Sequence, residues 1–130
     1  MRLFGRWFGK EPCLFGAGVV LPVDDLEATA KYYCDKLGFT LDFLMGDPAT
    51  HGSVTRGSVG IQFTKAPPDF EPRSYPGWTY LFVENIDALH AQHVANGVDI
   101  SQPMGNRGHG MREYEIQDCN GYTIRFGQYL

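Results

Sequence analysis

Trp78-Thr79-Tyr80-Leu81-Phe82-Val83-Glu84-Asn85-Ile86-Asp87-Ala88-Leu89 reads as a strand that runs straight into a helix. The same pattern occurs once before, at Gly18-Val19-Val20-Leu21-Pro22-Val23-Asp24-Asp25-Leu26-Glu27-Ala28. Val23 answers Val83, Leu26 answers Ile86 and Ala28 answers Ala88, each sixty positions on. Such a repetition predicts one unit built twice, with the function placed where the two copies meet.

The 130 residues have the length of one domain. A chain of this size buries roughly two-thirds of its unfolded surface, enough for a core without disulfide staples. Hydrophobic residues at 43% and charged residues at 20% argue against disorder. The formal charge of −4 disfavours a general nucleic-acid binder and leans toward neutral or cationic small ligands. Cys13, Cys34 and Cys119 lack metal-type spacing and read as reduced intracellular thiols. No apolar run approaches the ~18 residues of a membrane span, so no transmembrane segment is expected and the cytoplasm is the expected compartment.

Working outward, residues 1–12 form an N-terminal extension outside the repeat. Leu3, Phe4, Trp7 and Phe8 can share one helix face opposite Arg2, Arg6 and Lys10, packed on the domain or its dimer partner, or touching a membrane surface. The segment has no continuous apolar region of the signal-peptide kind.

The first module, 13–64, begins with a strand over Phe15–Val23. Asp24 or Asp25 caps a helix whose Leu26, Ala30, Tyr33 and Leu37 face the core, and Gly38 ends it. Strands follow over Phe39–Met45, Ser53–Arg56 and Val59–Thr64, with turns at Gly46-Asp47-Pro48 and Gly57-Ser58.

A proline-rich linker occupies 65–77. The second module, 78–130, repeats the order: strand Thr79–Val83, helix Ile86–Ala95, strand Val98–Pro103 and a glycine-rich loop over Met104–Gly110. Strands Glu113–Gln117 and Tyr122–Gly127 then turn at Asn120-Gly121. The expected class is α+β, two βαβββ modules in one domain overall.

Several pieces now carry a resemblance: Val23-Asp24-Asp25-Leu26, Tyr32-Tyr33 with Lys36-Leu37-Gly38-Phe39, Val83 to Leu89, Gly97-Val98, Arg112-Glu113-Tyr114 and Asp118-Cys119-Asn120-Gly121. In this order, and duplicated, they resemble the vicinal-oxygen-chelate superfamily of glyoxalase I, ring-cleaving dioxygenases and bleomycin-resistance proteins, over roughly residues 15 to 127. The resemblance implies that the two βαβββ units curl into incomplete barrels, one curled mixed sheet whose concave faces form a ligand cavity, commonly completed by a second subunit.

It also implies that the enzymes' four metal-ligand positions fall here at Gly18, Gln62, Trp78 and Arg125. Glycine and tryptophan offer a metal no side-chain donor, and arginine is a permanent cation, so no metal site and no cofactor are expected. The bleomycin-resistance branch is the nearest: Phe43, Tyr80 and Phe82 match its aromatic cleft positions, and Arg112-Glu113-Tyr114 matches its Arg-Glu-Phe stretch. Two departures stand out. The loop before Arg112 reads Asn106 to Met111 where that branch has a tryptophan, and Cys119 replaces a proline after Asp118.

Strand alternation then sorts the candidates. If Leu81 and Val83 pack on the helices, Trp78, Tyr80 and Phe82 face the cavity, to stack on a flat ligand or to fill a closed core or dimer seam. Arg125 and Gln62 face the same space. Arg125 either clamps an anion or pairs with Glu113 or Glu115; Glu113 either receives a cationic group or belongs to that pair. His109 is a lid residue, a general base or a plain loop histidine.

His90 and His93 read as an exposed helix face, His51 follows a turn, and Cys34 reads as a buried small hydrophobe. The ligand set is thus Phe43, Gln62, Trp78, Tyr80, Phe82, His109, Glu113 and Arg125, with no catalytic residue assigned. The leading expectation is a homodimer that sequesters an antibiotic or similar aromatic compound. The alternatives are a metal-independent or diverged lyase, isomerase or dioxygenase-like enzyme on a small carbonyl or aromatic substrate, with His109 or Glu113 as base, and a ligand-sensing or structural dimer.

Overall fold

The computed structural model describes residues 11–130. The basic and aromatic side chains expected to form an N-terminal amphipathic segment, Arg2 to Lys10, lie outside the described residues. In chain order the elements are β1 (Val19–Val23), α1 (Leu26–Leu37), β2 (Thr40–Gly46), β3 (Ala49–Arg56) and β4 (Val59–Lys65), then β5 (Thr79–Phe82), α2 (Ile86–Ala95), β6 (Asp99–Asn106), β7 (Met111–Gln117) and β8 (Thr123–Tyr129). They form two four-stranded mixed sheets, ordered β1-β4-β3-β2 and β5-β8-β7-β6. The topology is duplicated strand for strand, and neither sheet closes into a barrel.

The first helix forms where its punctuation places it. Asp25 accepts from the Ala28 amide at 2.9 Å, and Gly38 ends the helix at φ 75°, a left-handed conformation suited to glycine. Leu26, Ala30, Tyr33 and Leu37 are all buried, one helical face against the first sheet. The two modules share one apolar core, in which Tyr33 meets Phe63 and Phe39 edge-on. Across the halves the Tyr33 hydroxyl donates to buried Asp118 at 2.6 Å. Asp118 also accepts from the amides of Asn120 and Tyr122, which closes the β7–β8 turn. Burial pushes the Asp118 pKa above the usual range, more than these bonds lower it.

Several boundaries differ from expectation. β1 begins at Val19 rather than Phe15: its one partner among the described residues is β4, and their ladder starts with Val19 opposite Ile61. Leu14 and Phe15 are fully exposed instead. β3 starts at Ala49, since the turn after Gly46 is tighter than expected and Gly46 pairs with Ala49. β6 runs on through Pro103 to Asn106, so the loop shrinks to 107–110. Pro103 is tolerated because β6 is an edge strand and its register with β7 is irregular there.

Two side-chain expectations also change. His93 is buried, 1% exposed, rather than on an open helix face. One full pair of turns after Ile86, it lies on the side of α2 that meets the sheet, and its Nδ1 is 2.7 Å from the Tyr114 hydroxyl. Cys34 is only partly buried.

Candidate functional site

Each sheet has one face packed on the core and one face turned away from it. On the first sheet, Phe43, Ser53, Gln62 and Val20 are cross-strand neighbours in one row. On the second sheet the equivalent row is Gln102, Glu115, Arg125 and Tyr80. Ser53 and Thr55 donate to the two carboxylate oxygens of Asp42, which sits at the β2 irregularity. The eight candidates therefore divide: Phe43 and Gln62 stand on the first sheet and the other six on or beside the second. Among the described residues no hydrogen bond or ion pair joins the two groups.

The aromatic alternation in β5 is as the repeat implies. Leu81 and Val83 pack against the core, while Trp78 and Phe82 are 54% and 62% exposed. Phe82 lies 5.1 Å from Tyr80, centroid to centroid, and stacks on Tyr129 at 5.6 Å with rings 9° apart. Arg125 lies over the Trp78 ring, 4.9 Å from its centroid, and its Nη2 donates to Glu115 at 3.0 Å. Of the two readings of Arg125, pairing with Glu115 is the one formed. Among the described residues its buried Nε has no hydrogen-bond partner.

Glu113 is the buried centre of this face, 1% exposed. Tyr80 donates to its Oε2 at 2.5 Å, His109 Nε2 lies 3.1 Å from the same oxygen, and Arg107 Nε stands 3.8 Å from Oε1. Burial alone would raise the Glu113 pKa, but the bonds from Tyr80 and His109 and the charge of Arg125 hold it below the usual range. The partner effect on Tyr80 is opposite: burial and the adjacent carboxylate push its phenol up to about 12. The result is a fixed anion hydrogen-bonded by Tyr80 and His109 and faced by the Arg107 charge, with His109 itself more than half exposed at the rim.

Tyr80 reaches Glu113 only because the strand between them carries Gly127. Glu113 and Phe82 both pair with Gly127, and a β-carbon there would collide with the Tyr80 hydroxyl. Gly127, Arg107 and Tyr129 were not singled out by sequence reasoning. The signal for Gly127 was present in the Asn120-Gly121 hairpin, whose register sets it opposite Glu113.

At the four positions where the resemblance puts metal ligands, Gly18 has no side chain and Trp78 is covered by Arg125. Arg125 is itself a cation tied to Glu115. This set does not fit a divalent ion, which needs several oxygen or imidazole donors converging. Among the described residues no three of His, Cys, Asp or Glu are grouped to hold one.

A family model for the Glyoxalase/Bleomycin resistance protein/Dioxygenase superfamily matches residues 17–126. The chain belongs to that superfamily. Among solved structures it is similar to a bleomycin resistance determinant encoded on the transposon Tn5, with a TM-score of 0.77 at 22% identity, covering 89% of this chain and 98% of that one. It is also similar to the bleomycin-binding protein of bleomycin-producing Streptomyces verticillus, solved with copper(II)-bleomycin, with a TM-score of 0.73 at 25% identity, covering 89% and 97%. A glyoxalase-related enzyme from Clostridium phytofermentans matches with a TM-score of 0.73 at 24% identity, covering 94% and 100%. Resistance proteins and an enzyme-related protein thus share the fold. A search of curated protein sequences finds no match. No helix among the described residues is long and apolar enough to cross a membrane.

Proposed function

We propose that this protein sequesters a small aromatic compound, an antibiotic of the bleomycin kind or a similar molecule, without changing it chemically. The observation that carries the reading is the aromatic wall of exposed Trp78, Phe82 and Tyr129 with half-buried Tyr80, beside a pre-formed set of charges. Rigid rings give large contact area at little entropic cost, and Arg125 and Glu113 are already held by partners, so binding orders little. Gln62 and Phe43 supply the opposing surface from the first sheet. Modules 13–64 and 78–130, joined by 65–77, act as one domain in this reading.

The protein works as a cytoplasmic homodimer. Exposed Leu41, Phe43, Leu44 and Met45 along β2 support the dimer, since water-facing apolar rows of this kind mark interfaces. The odd number and the spacing of Cys13, Cys34 and Cys119 support a reducing compartment. Protection follows mass action and needs micromolar or tighter affinity. Titration with bleomycin should show stoichiometric binding and a raised melting temperature, with the compound recovered intact; absence of any binding across bleomycin-type and planar aromatic compounds would defeat the reading.

A second reading, metal-independent acid–base catalysis on a small carbonyl or aromatic substrate, is favoured by one observation: the line Tyr80–Glu113–His109. A carboxylate that holds one imidazole nitrogen leaves the other to move a proton. Turnover of a candidate substrate that disappears in His109→Ala and Glu113→Ala would replace the first reading with this one.

A further inference from the structure

Beside the Phe82 end of the aromatic wall, a half-open cavity of about 510 Å³ lies between α2 and the β3–β4 hairpin. Its size falls within the range of small-molecule sites, and its walls are mostly apolar, with Phe39, Leu81, Leu89 and Phe126 among them. Two side chains that line it can donate hydrogen bonds. His93 lines the cavity while its Nδ1 is engaged by Tyr114. Buried Tyr114 has no other acceptor for its proton among the described residues, so its O–H donates to Nδ1 and leaves an N–H on Nε2. Burial and the nearby charge of Arg56 lower the His93 pKa to about 4, which keeps the ring neutral.

Arg56 is the second donor. It enters through the space left by Gly38, where a β-carbon would stand 2.6 Å from Nη1. Its guanidinium donates to the Leu37 carbonyl at 2.8 Å and to Gln92 Oε1 at 3.0 Å. Both partners are neutral, and Arg56 makes no ion pair among the described residues. Glu84 also lines the cavity, but it is exposed and its charge is screened by water, whereas Arg56 is partly buried.

We propose that this inter-module cavity is a second binding site, which takes a small monocarboxylate with an apolar body. The body fills the space between Phe39, Leu81, Leu89 and Phe126, and the carboxylate accepts from Arg56 and from His93. The proposal does not depend on the concave-face ligand.

The test is a titration of the full chain with decanoate, followed by amide chemical shifts. Saturable binding at a single site per chain is expected, with shifts centred on Val59, Leu89 and His93. Decanol, which lacks the charge, and the Arg56→Gln variant should each weaken binding by about tenfold or more. Should Arg56→Gln fail to fold, Leu89→Trp carries the test: it fills the cavity and should abolish decanoate binding while leaving aromatic ligands at Trp78 unaffected. Absence of binding, equal binding of decanol, shifts centred on Trp78, or binding that survives Leu89→Trp would each overturn the proposal.

Discussion

The Tyr80 hydroxyl stands where a β-carbon on Gly127 would have to be. Tyr80 belongs to β5 and Glu113 to β7, with β8 between them, and glycine is what lets one side chain cross a whole strand to the other. Gly127→Ala should therefore push the Tyr80 ring off Glu113. Its cost should be about 1–3 kcal/mol, from overpacking and a lost hydrogen bond. Urea unfolding measures it; an unchanged midpoint would show that the ring has room to move freely.

Tyr80→Phe removes one donor from Glu113 and leaves the backbone alone. Glu113 has a depressed pKa, so its stabilising effect is present above the ordinary carboxylate value near 4.5 and is lost as pH falls through the lower folded value. Without the Tyr80 bond that folded value should rise, and stability at neutral pH should drop by about 1 kcal/mol. Carbon-detected titration of the Glu113 carboxyl reads this directly, and a pKa that stays put would remove Tyr80 from the account.

Trp78 covers Arg125 on one side and faces solvent on the other. If it stacks on the bound compound, Trp78→Ala should weaken binding by ~1–3 kcal/mol with the fold intact. Indole fluorescence offers a check in the wild-type chain, since ligand stacking should quench it. Equal affinity in the variant would move the ligand elsewhere.

His93 gives the molecule an acid-sensitive point. Its folded pKa of about 4 lies below the reference 6.5, so the unfolded chain takes up a proton first as pH falls. Stability should be full above pH 6.5 and decline between 6.5 and 4, by on the order of 2 kcal/mol after allowing for screening by water in the adjoining cavity. Asn at this position offers an amide oxygen where Nδ1 stands, can still accept from Tyr114 and does not titrate. His93→Asn should flatten the decline, and a slope identical to wild type would assign it to other groups.

Metal content offers a further check on the four superfamily ligand positions. Purified protein should carry no stoichiometric divalent ion and should keep its melting temperature in chelator, because Trp78 and Arg125 occupy two of those positions with each other. One firmly held ion per subunit would contradict this.

How much of the site could be read beforehand varies residue by residue, for physical reasons. Trp78, Tyr80 and Phe82 were legible because a strand alternates faces, and burial of Leu81 and Val83 fixes which face is which. Arg125 was legible as a position but not as a state, since Glu113 and Glu115 alternate onto the same face of the hairpin. Only the ladder decides: Glu115 is its direct cross-strand partner. His93 was misplaced because its helix has a weak apolar stripe, so its buried side is set by the sheet beneath it rather than by its own pattern.

The sequence by itself determined the duplicated unit: Val23 and Val83, the caps at Asp25 and Gly38, and the Asn120-Gly121 turn act through neighbours along the chain, where local geometry suffices. It also determined which side chains stand where the resemblance puts metal ligands. The tertiary structure alone decided what those side chains do. Tyr80 reaching over Gly127 to Glu113, Arg125 sandwiched by Trp78 and Glu115, and Arg56 and His93 meeting around one cavity all join strands or modules distant in sequence. Such contacts depend on sheet order and on which residue leaves a gap, and neither is a property of any short stretch.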